Sequence, residues 1–280
     1  MTLGPVRRPT TSVRVRALDQ GRVLERPDKL VTEEPMEIRV HGPGQEPAPL
    51  AVTMRTPGND FELAVGFCFT EGILERAADL DTVAYCLAGE GEQEYNVVTV
   101  KLRRPVQLAG HERNFVANAS CGLCGKTTLD QVAQHCAPVG EGPVIKQSVL
   151  TKLPARLRAA QVVFESTGGL HAAASFTPDG DLEALREDIG RHNALDKLIG
   201  HALLERQLPL IDDVLLVSGR VSFEIVQKAA AAGIAIVCAV SAPSSLAVDA
   251  AQQFGQTLIG FLRDERANVY THPERVDVDH

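Results

Sequence analysis

Residues 214–240 read VLLVSGRVSFEIVQKAAAAGIAIVCAV, and this stretch decides the fold of the C-terminal half of the chain. Val214–Val217 is a continuous apolar run of the kind found in buried strands, and Ile234–Val240 is another. Between them, Ser222–Ala232 predicts a helix with Ser222 as its cap. Two apolar strands joined by a helix form a βαβ unit, whose parallel strands are covered by helices on their faces. The stretch therefore predicts an α/β domain.

Elements with the same alternation of helix and strand lie on both sides of this unit. Asn193–Arg206 predicts a helix with one apolar face, and Leu246–Phe254 predicts another that Gly255 ends. Pro178-Asp179-Gly180 is a turn signal between two strand-like runs, so a hairpin is predicted there. The remaining predicted elements are a helix at Leu153–Ala160, hairpin strands at His171–Phe176 and Leu182–Leu185, and final strands at Thr257–Leu262 and Asn268–Tyr270.

The N-terminal part of the chain favours strands instead. Val13–Arg16 and Glu37–Val40 alternate between apolar and charged residues, and Tyr95–Val100 is rich in strand formers. One helix interrupts this pattern, with Asp60 as its predicted cap and Gly72 near its end. The whole sequence therefore predicts an α/β protein, α+β overall, with a β-rich N-terminal domain.

Residues 117–147 break both patterns, since they contain four glycines and two prolines. Such a segment is typical of a linker that carries functional groups, and we expect it to be the most mobile part of the chain after the tail. Residues 1–12 show no periodicity and predict that loose tail. We therefore expect an N-terminal domain at 1–116, a flexible linker at 117–147 and a C-terminal domain at 148–280.

Length and charge exclude several classes of protein. The 280 residues suit two domains, and 28 Lys+Arg against 36 Asp+Glu give a net charge of −8. An acidic chain is a poor match for nucleic acid as the main partner, because protein surfaces that bind the negatively charged phosphate backbone are basic. No apolar run approaches the ~20 residues that span a membrane. The basic N-terminus lacks the apolar core of a secretory signal, so we expect a cytoplasmic protein.

The six cysteines fall into two groups. Four lie in apolar or mixed runs and are expected to be small buried side chains; they are Cys68, Cys86, Cys136 and Cys238. The other two form the pair Ser120-Cys121-Gly122-Leu123-Cys124-Gly125. Thiols three positions apart can meet if the backbone turns, and the two glycines permit that turn and the close approach of a partner.

Three kinds of site fit this pair from the residues alone. A structural zinc site usually has four ligands, often from two such pairs, and the sequence holds one pair. A thioredoxin-like site expects the pair at a strand-to-helix junction in a βαβ unit, which is not the pattern around Cys121. The third interpretation is a mobile nucleophilic thiol that carries sulfur as a persulfide. It requires no bound metal.

A second polar cluster lies ahead of the βαβ unit. Six polar or charged side chains occur within ten residues, and they suit a phosphate-bearing ligand at the start of a helix; they are Asp188, Arg191, His192, Asn193, Asp196 and Lys197. Ser218-Gly219-Arg220 follows a buried strand, where open α/β sheets bind ligands. His171 is followed at the third position by Ala173 rather than the glutamate of zinc deaminases, so deaminase chemistry is excluded and a core histidine stays possible.

Together these motifs resemble the formate dehydrogenase accessory sulfurtransferase family, FdhD. The resemblance covers roughly residues 50–275 in family order and departs from the family at no motif position. The matching segments are Thr56–Phe67, Ser120–Gly125, Thr167–Ala173, Glu187–Lys197, Ser218–Arg220, Gly260–Arg263 and Asn268–Thr271.

The resemblance implies a homodimer with a C-terminal domain like cytidine deaminase, a three-layer αβα arrangement. It also implies a function. The protein would accept persulfide sulfur from a cysteine desulfurase and transfer it to the molybdenum (or tungsten) bis(molybdopterin guanine dinucleotide) cofactor before that cofactor enters formate dehydrogenase. By the match, Cys121 would carry the persulfide and Cys124 would assist.

Because that cofactor carries guanine nucleotides, GDP is expected to bind as a fragment of it. Arg263 offers a guanidinium fork for phosphate, Phe261 a ring for stacking, and Gly260 room for close approach. The alternative is a closing hairpin with a solvated Arg263. The full set of expected cofactor-binding residues is Gly260, Phe261, Leu262, Arg263, Asp264, Glu265 and Asn268 on one wall, with His192, Asn193, Ser218 and Arg220 on the other.

Two functions of other classes also fit the sequence. A zinc-stabilised interaction module would use the cysteine pair as part of a structural site. A pure cofactor chaperone would bind the molybdopterin and move no sulfur.

Overall fold

The computed structural model describes residues 8–86, 95–107 and 138–278. The strands are β1 (Thr10–Asp19), β2 (Arg22–Val31), β3 (Glu34–His41), β4 (Ala48–Arg55), β5 (Leu80–Tyr85), β6 (Val97–Leu102), β7 (Ile145–Lys146), β8 (His171–Phe176), β9 (Leu182–Asp188), β10 (Val214–Val217), β11 (Ile236–Ala239), β12 (Thr257–Arg263), β13 (Arg266–Thr271) and β14 (Val276–Asp277). The helices are α1 (Asp60–Thr70), α2 (Gln147–Leu150), α3 (Leu153–Ala160), α4 (Val162–Thr167), α5 (Arg191–Leu204), α6 (Phe223–Ala231) and α7 (Ser245–Phe254), with 3-10 turns at Ala77–Asp79 and Pro273–Arg275.

A six-stranded sheet in the order β13-β12-β11-β10-β8-β9 forms the C-terminal part. Strands β10, β11 and β12 are parallel neighbours, which confirms the predicted βαβ unit. Strands β8 and β9 pair in antiparallel fashion, which confirms the predicted hairpin.

Helices cover both faces of this sheet, because side chains alternate along its buried strands. Leu215 and Val217 of β10 pack into a core shared with α5, α6 and α7. Val214 and Leu216 point to the opposite face and share a core with apolar residues of α2 and α3. The predicted three-layer αβα arrangement is confirmed.

A four-stranded sheet in the order β4-β3-β6-β5 forms the N-terminal part, with α1 packed on one face. Alternate residues of β3 enter that core, namely Met36, Ile38 and Val40, as the alternating pattern predicted. Strands β1 and β2 form a separate two-stranded hairpin. The predicted β-rich character is confirmed, although β2, β4 and β5 were not predicted.

Several predicted ends of elements were wrong. β1 begins at Thr10, inside the predicted tail, and β6 begins at Val97 rather than Tyr95. Asn59 rather than Asp60 occupies the cap position of α1, in a left-handed conformation and with no side-chain cap bond. The Asp60 carboxylate instead bonds Arg55 and the Gly58 backbone N–H. Ser222 does occupy the cap position of α6, but its side chain bonds His192 instead of the helix backbone.

The two sheets meet where α1 crosses α5 at a pair of glycines. A Cβ at Gly66 would overlap the carbonyl oxygen of Asp196, and a Cβ at Gly200 would overlap that of Glu62. The helix backbones therefore touch, and no side chain fits between them.

Gly200→Ala is expected to lower the free energy of unfolding by about 2 kcal/mol or more, because overpacking outweighs the better helix propensity of alanine. The added methyl group meets backbone rather than a movable side chain. Urea denaturation measures the loss. Gly140→Ala is the control, since a Cβ at Gly140 meets nothing within 4 Å. Equal stability of the two variants would show that the helices can separate without cost.

Candidate functional site

The sheet topology brings the predicted ligand residues of the C-terminal part to one edge. Val217 pairs with Ala239, and Cys238 pairs with Ile259, so β10 and β11 end beside the middle of β12. Ser218–Arg220, which follow β10, and Gly260–Arg263, the last residues of β12, therefore lie at the same edge. Because β8 runs antiparallel to β10, its first residue, His171, lies there as well.

The first turn of α5 reaches this edge too. β9 ends at Asp188, which pairs with His171, and α5 begins three residues later. A Cβ at Gly219 would lie 3.3 Å from Nδ1 of His171 and 3.7 Å from Cβ of Arg191. Because Gly219 has no side chain, the segment after β10 can lie close to both His171 at the start of β8 and Arg191 at the start of α5.

Two histidines of this edge are held in the neutral form. Burial lowers the pKa of His171, and the positive charges of Arg191 and Arg220 lower it further against the opposing effect of Asp188. Burial and the charge of Arg191 lower the pKa of His192 to about 3. Nε2 of His192 lies 3.1 Å from Oγ of Ser222 and 3.2 Å from Oε2 of Glu224, both in or at the start of α6.

The arginines of the edge keep free donors. Nε of Arg191 is buried and has no hydrogen-bond partner among residues 8–86, 95–107 and 138–278. Arg220 is exposed, and within those ranges it forms no ion pair. Guanidinium groups beside neutral imidazoles and a helix N-terminus form a surface that attracts anions.

The hairpin of β12 and β13 presents a second group of predicted ligand residues. Phe261, Arg263 and Asn268 are exposed, and Asn268 pairs with Gly260. Asp264 and Glu265 are exposed and form the turn with positive φ angles. The close approach that Gly260 permits is to Pro243, since a Cβ would lie 2.7 Å from Cδ of that proline.

Three predicted ligand residues have their side chains engaged within the protein. Leu262 is fully buried in the core beneath the sheet. Oγ of Ser218 accepts the backbone N–H of Ala172 at 2.9 Å. The amide of Asn193 donates to the Met54 carbonyl at 2.8 Å and to Asp188 at 3.0 Å. The other two residues that were predicted for the wall opposite the hairpin, His192 and Arg220, border the edge of the sheet.

Arg191 belongs to the dense polar run that predicted a phosphate-bearing ligand, although it was not among the expected cofactor-binding residues. No ligand role was predicted for His171. His171 reaches this edge because it begins β8, which pairs with β10 in antiparallel fashion. That place could be predicted only if the order of the strands in the sheet were known. The contribution of the N-terminal part, through Thr53–Thr56, was also missed, since it is distant in sequence.

Cys121 and Cys124 lie outside the described residues, as does most of the predicted mobile linker. The described end of that linker packs against the C-terminal part. The Val139 N–H donates to the Phe254 carbonyl at 2.9 Å, Ile145 is fully buried, and β7 pairs with β14.

Two of the remaining thiols are fully buried in the core. Cys68 and Cys238 have no exposed surface, and burial raises the pKa of both thiols. Within the described ranges, no three His, Cys, Asp or Glu side chains are grouped to hold a metal ion. No helix in those same ranges is long and apolar enough to cross a membrane.

Comparison with known proteins identifies the family. The profile of the FdhD/NarQ family matches residues 31–277. The chain belongs to the FdhD/NarQ family. A sulfur carrier protein FdhD of Streptomyces coelicolor is 51% identical over 276 residues, which cover 96% of each chain. A sulfur carrier protein FdhD of Mycolicibacterium paratuberculosis is 48% identical over 274 residues, covering 95% of this chain and 98% of that one.

A solved FdhD-like fold supports the architecture. The crystal structure of a candidate formate dehydrogenase accessory protein from Desulfotalea psychrophila superimposes with a TM-score of 0.74. It is 22% identical and covers 95% of this chain and 99% of that chain. Both sheets described above therefore belong to a fold that has been seen in a solved structure.

Proposed function

We propose that this chain carries sulfur for the maturation of a formate dehydrogenase. It accepts sulfur from a cysteine desulfurase as a persulfide on Cys121 and transfers it to the bis(molybdopterin guanine dinucleotide) cofactor before insertion. The observation that carries this proposal is the match over 96% of the chain to a protein named as a sulfur carrier, combined with the Cys121–Cys124 pair.

The loading step conserves atoms and electrons. The Cys121 thiolate attacks the terminal sulfur of the desulfurase persulfide, the S–S bond of that persulfide breaks, and the desulfurase leaves as a thiolate. Cys121 then holds the new S–S bond. Cys124, three positions on, assists by attacking the outer sulfur of this persulfide; that sulfur becomes a persulfide on Cys124, the S–S bond to Cys121 breaks, and Cys121 leaves as a thiolate.

Burial excludes two of the three described thiols as carriers, while the third, Cys86, is half-buried rather than buried as predicted. A persulfide forms on a thiolate that a partner enzyme can reach. Burial keeps Cys68 and Cys238 protonated and out of reach. The pair at 121 and 124 is flanked by glycines, which suit the close approach of a large partner.

The edge of the C-terminal sheet is suited to the nucleotide ends of the cargo cofactor. Arg191 supplies a buried donor without a protein partner in the described chain, and Arg220 supplies an exposed one. A diphosphate needs such donors, and a guanine ring can stack on the exposed Phe261.

Labelled sulfur separates this proposal from its alternatives. The desulfurase is incubated with labelled cysteine and this protein, and the label on this chain is counted before and after reduction. A sulfur carrier retains label that a thiol reductant releases. A cofactor chaperone retains none, and a zinc-stabilised module instead contains about one zinc per chain by elemental analysis.

Arg263→Ala is expected to weaken GDP binding by about 1.5–3 kcal/mol, the range for a hydrogen bond to a charged group. Isothermal titration calorimetry measures the change. Arg266→Ala is the matched control, because Arg266 is also exposed and pairs with Arg263 across the hairpin. Sulfur loading of Cys121 should be the same in both variants. Equal GDP affinity of the Arg263→Ala variant and the parent would remove this hairpin from the site.

A further inference from the structure

Three residues at the end of β4 and directly after it bond the start of α5 and the segment before it. The Asn193 amide donates to the Met54 carbonyl at 2.8 Å, and Oγ1 of Thr53 donates to the amide oxygen of Asn193 at 3.2 Å. Thr56 makes three further bonds. Its N–H donates to Asp188, its carbonyl accepts Nζ of Lys197 at 2.9 Å, and its Oγ1 accepts the Ile189 N–H at 3.2 Å.

Asp188 is the centre of this network and is fully buried. Its Oδ1 accepts the Gly190 N–H at 2.8 Å and the Asn193 amide at 3.0 Å. Its Oδ2 accepts the Thr56 N–H at 3.1 Å and pairs with Nζ of Lys197 at 2.7 Å. Each carboxylate oxygen thus has two donors, and the charge is neutralised by a lysine that is itself buried.

This saturation has a consequence for Arg191, which follows Asp188 by three positions. A carboxylate with free lone pairs three positions along the chain is a potential partner for a guanidinium. Because Lys197, Thr56, Gly190 and Asn193 occupy all of them, Arg191 keeps a buried Nε without a partner in the described chain. Its charge acts instead on the two histidines of the sheet edge.

We propose that Thr56 and Asp188 are positioning residues for the anion-binding edge. Together they fix the first turn of α5 so that Arg191 and His192 face the ligand, and the donors bonded to the Asp188 carboxylate keep it from neutralising Arg191. Neither touches the ligand, since both are buried. The nature of the ligand rests on the proposed function, whereas the fixed direction of Arg191 and His192 does not.

Two buried threonines allow a matched test. Thr56 and Thr70 are both buried, and both bond α5 from the N-terminal part, since Oγ1 of Thr70 donates to Asp196 at 2.8 Å. Thr56→Val is expected to weaken GDP binding by about threefold to tenfold, the equivalent of one neutral hydrogen bond. Thr56→Ser should restore the parent affinity. Thr70→Val should leave affinity unchanged, although both valine variants lower the unfolding midpoint.

A second readout separates this proposal from the proposed function. The ring resonances of His171 and His192 in NMR spectra report the surroundings of the edge without any ligand. Thr56→Val should shift both sets of signals, whereas Thr56→Ser and Thr70→Val should not. If the parent does not bind GDP, the nucleotide part of the proposed function fails. The histidine signals then still test whether Thr56 positions the first turn of α5. Unshifted signals in Thr56→Val, or equal loss of affinity in Thr56→Val and Thr70→Val, would overturn the positioning role.

Discussion

Cys121→Ala is expected to abolish the maturation of formate dehydrogenase in cells that depend on this chain, while the protein still folds. The substitution removes the sulfur atom on which the persulfide forms, and an alanine at that position can form no S–S bond. Formate dehydrogenase activity in extracts of a complemented deletion strain measures the effect, with immunoblotting to show equal amounts of the two proteins.

Cys238→Ala is the control for this experiment. Its thiol is fully buried and its loss should cost about 1 kcal/mol of stability, as for a small buried group, without loss of activity. Full formate dehydrogenase activity in the Cys121→Ala strain would mean that the persulfide forms elsewhere or not at all.

Lys228→Met is expected to lower the free energy of unfolding by about 3–5 kcal/mol near neutral pH, because removing one partner of a buried pair leaves a buried charge. Nζ of Lys228 lies 2.9 and 3.0 Å from the carboxylate oxygens of Asp196, and it donates to Oγ1 of Thr70 at 2.8 Å. Helices α1, α5 and α6 meet at this pair, so its loss weakens the packing at the junction of the two sheets.

The pH dependence of this loss has a defined sign. Burial raises the pKa of Asp196, and Lys228 opposes that rise. Without the lysine, the folded-state pKa of Asp196 rises further above its unfolded value. The stability of the variant is then retained where Asp196 is protonated and falls as pH increases through the raised pKa.

Urea denaturation at about pH 5 and about pH 8 measures both effects. The deficit of Lys228→Met relative to the parent should be larger at the higher pH, and Asp196→Asn combined with Lys228→Met should recover part of it. Arg16→Met is the control, because its pair with Glu25 is exposed and is worth less than about 1 kcal/mol. A deficit of Lys228→Met that does not change with pH would show that Asp196 is not the group left unpaired.

The elements that were predicted from the sequence are those whose burial produces a recognisable local pattern of apolar and polar residues. Strands β10 and β11 are buried on both faces and so appear as continuous apolar runs. Helix α3 was predicted at the bounds observed, since Pro154 lies in its first turn and Leu157 faces the core. In contrast, β2 is almost wholly exposed and contains Pro27 and several charges, so its sequence does not alternate.

The site was predictable only in part, for a related reason. The polar run before α5 and the Ser218-Gly219-Arg220 segment stand next to recognisable elements, so their place at the sheet edge followed from the βαβ unit. The bond between Thr56 and Asp188 joins residues 132 positions apart. No periodicity indicates such a contact. Asn193, which was predicted to bind the ligand, instead bonds Met54 and Asp188 within the protein.

The mass of the Cys121 peptide is the most direct measurement of the sulfur-carrier role. The protein is incubated with a cysteine desulfurase and cysteine, alkylated, digested and analysed by mass spectrometry. The proposed function predicts one added sulfur atom on the peptide containing Cys121, lost on reduction, and none on the peptides of Cys68 and Cys238. An unmodified Cys121 peptide beside a desulfurase that has turned over would contradict it.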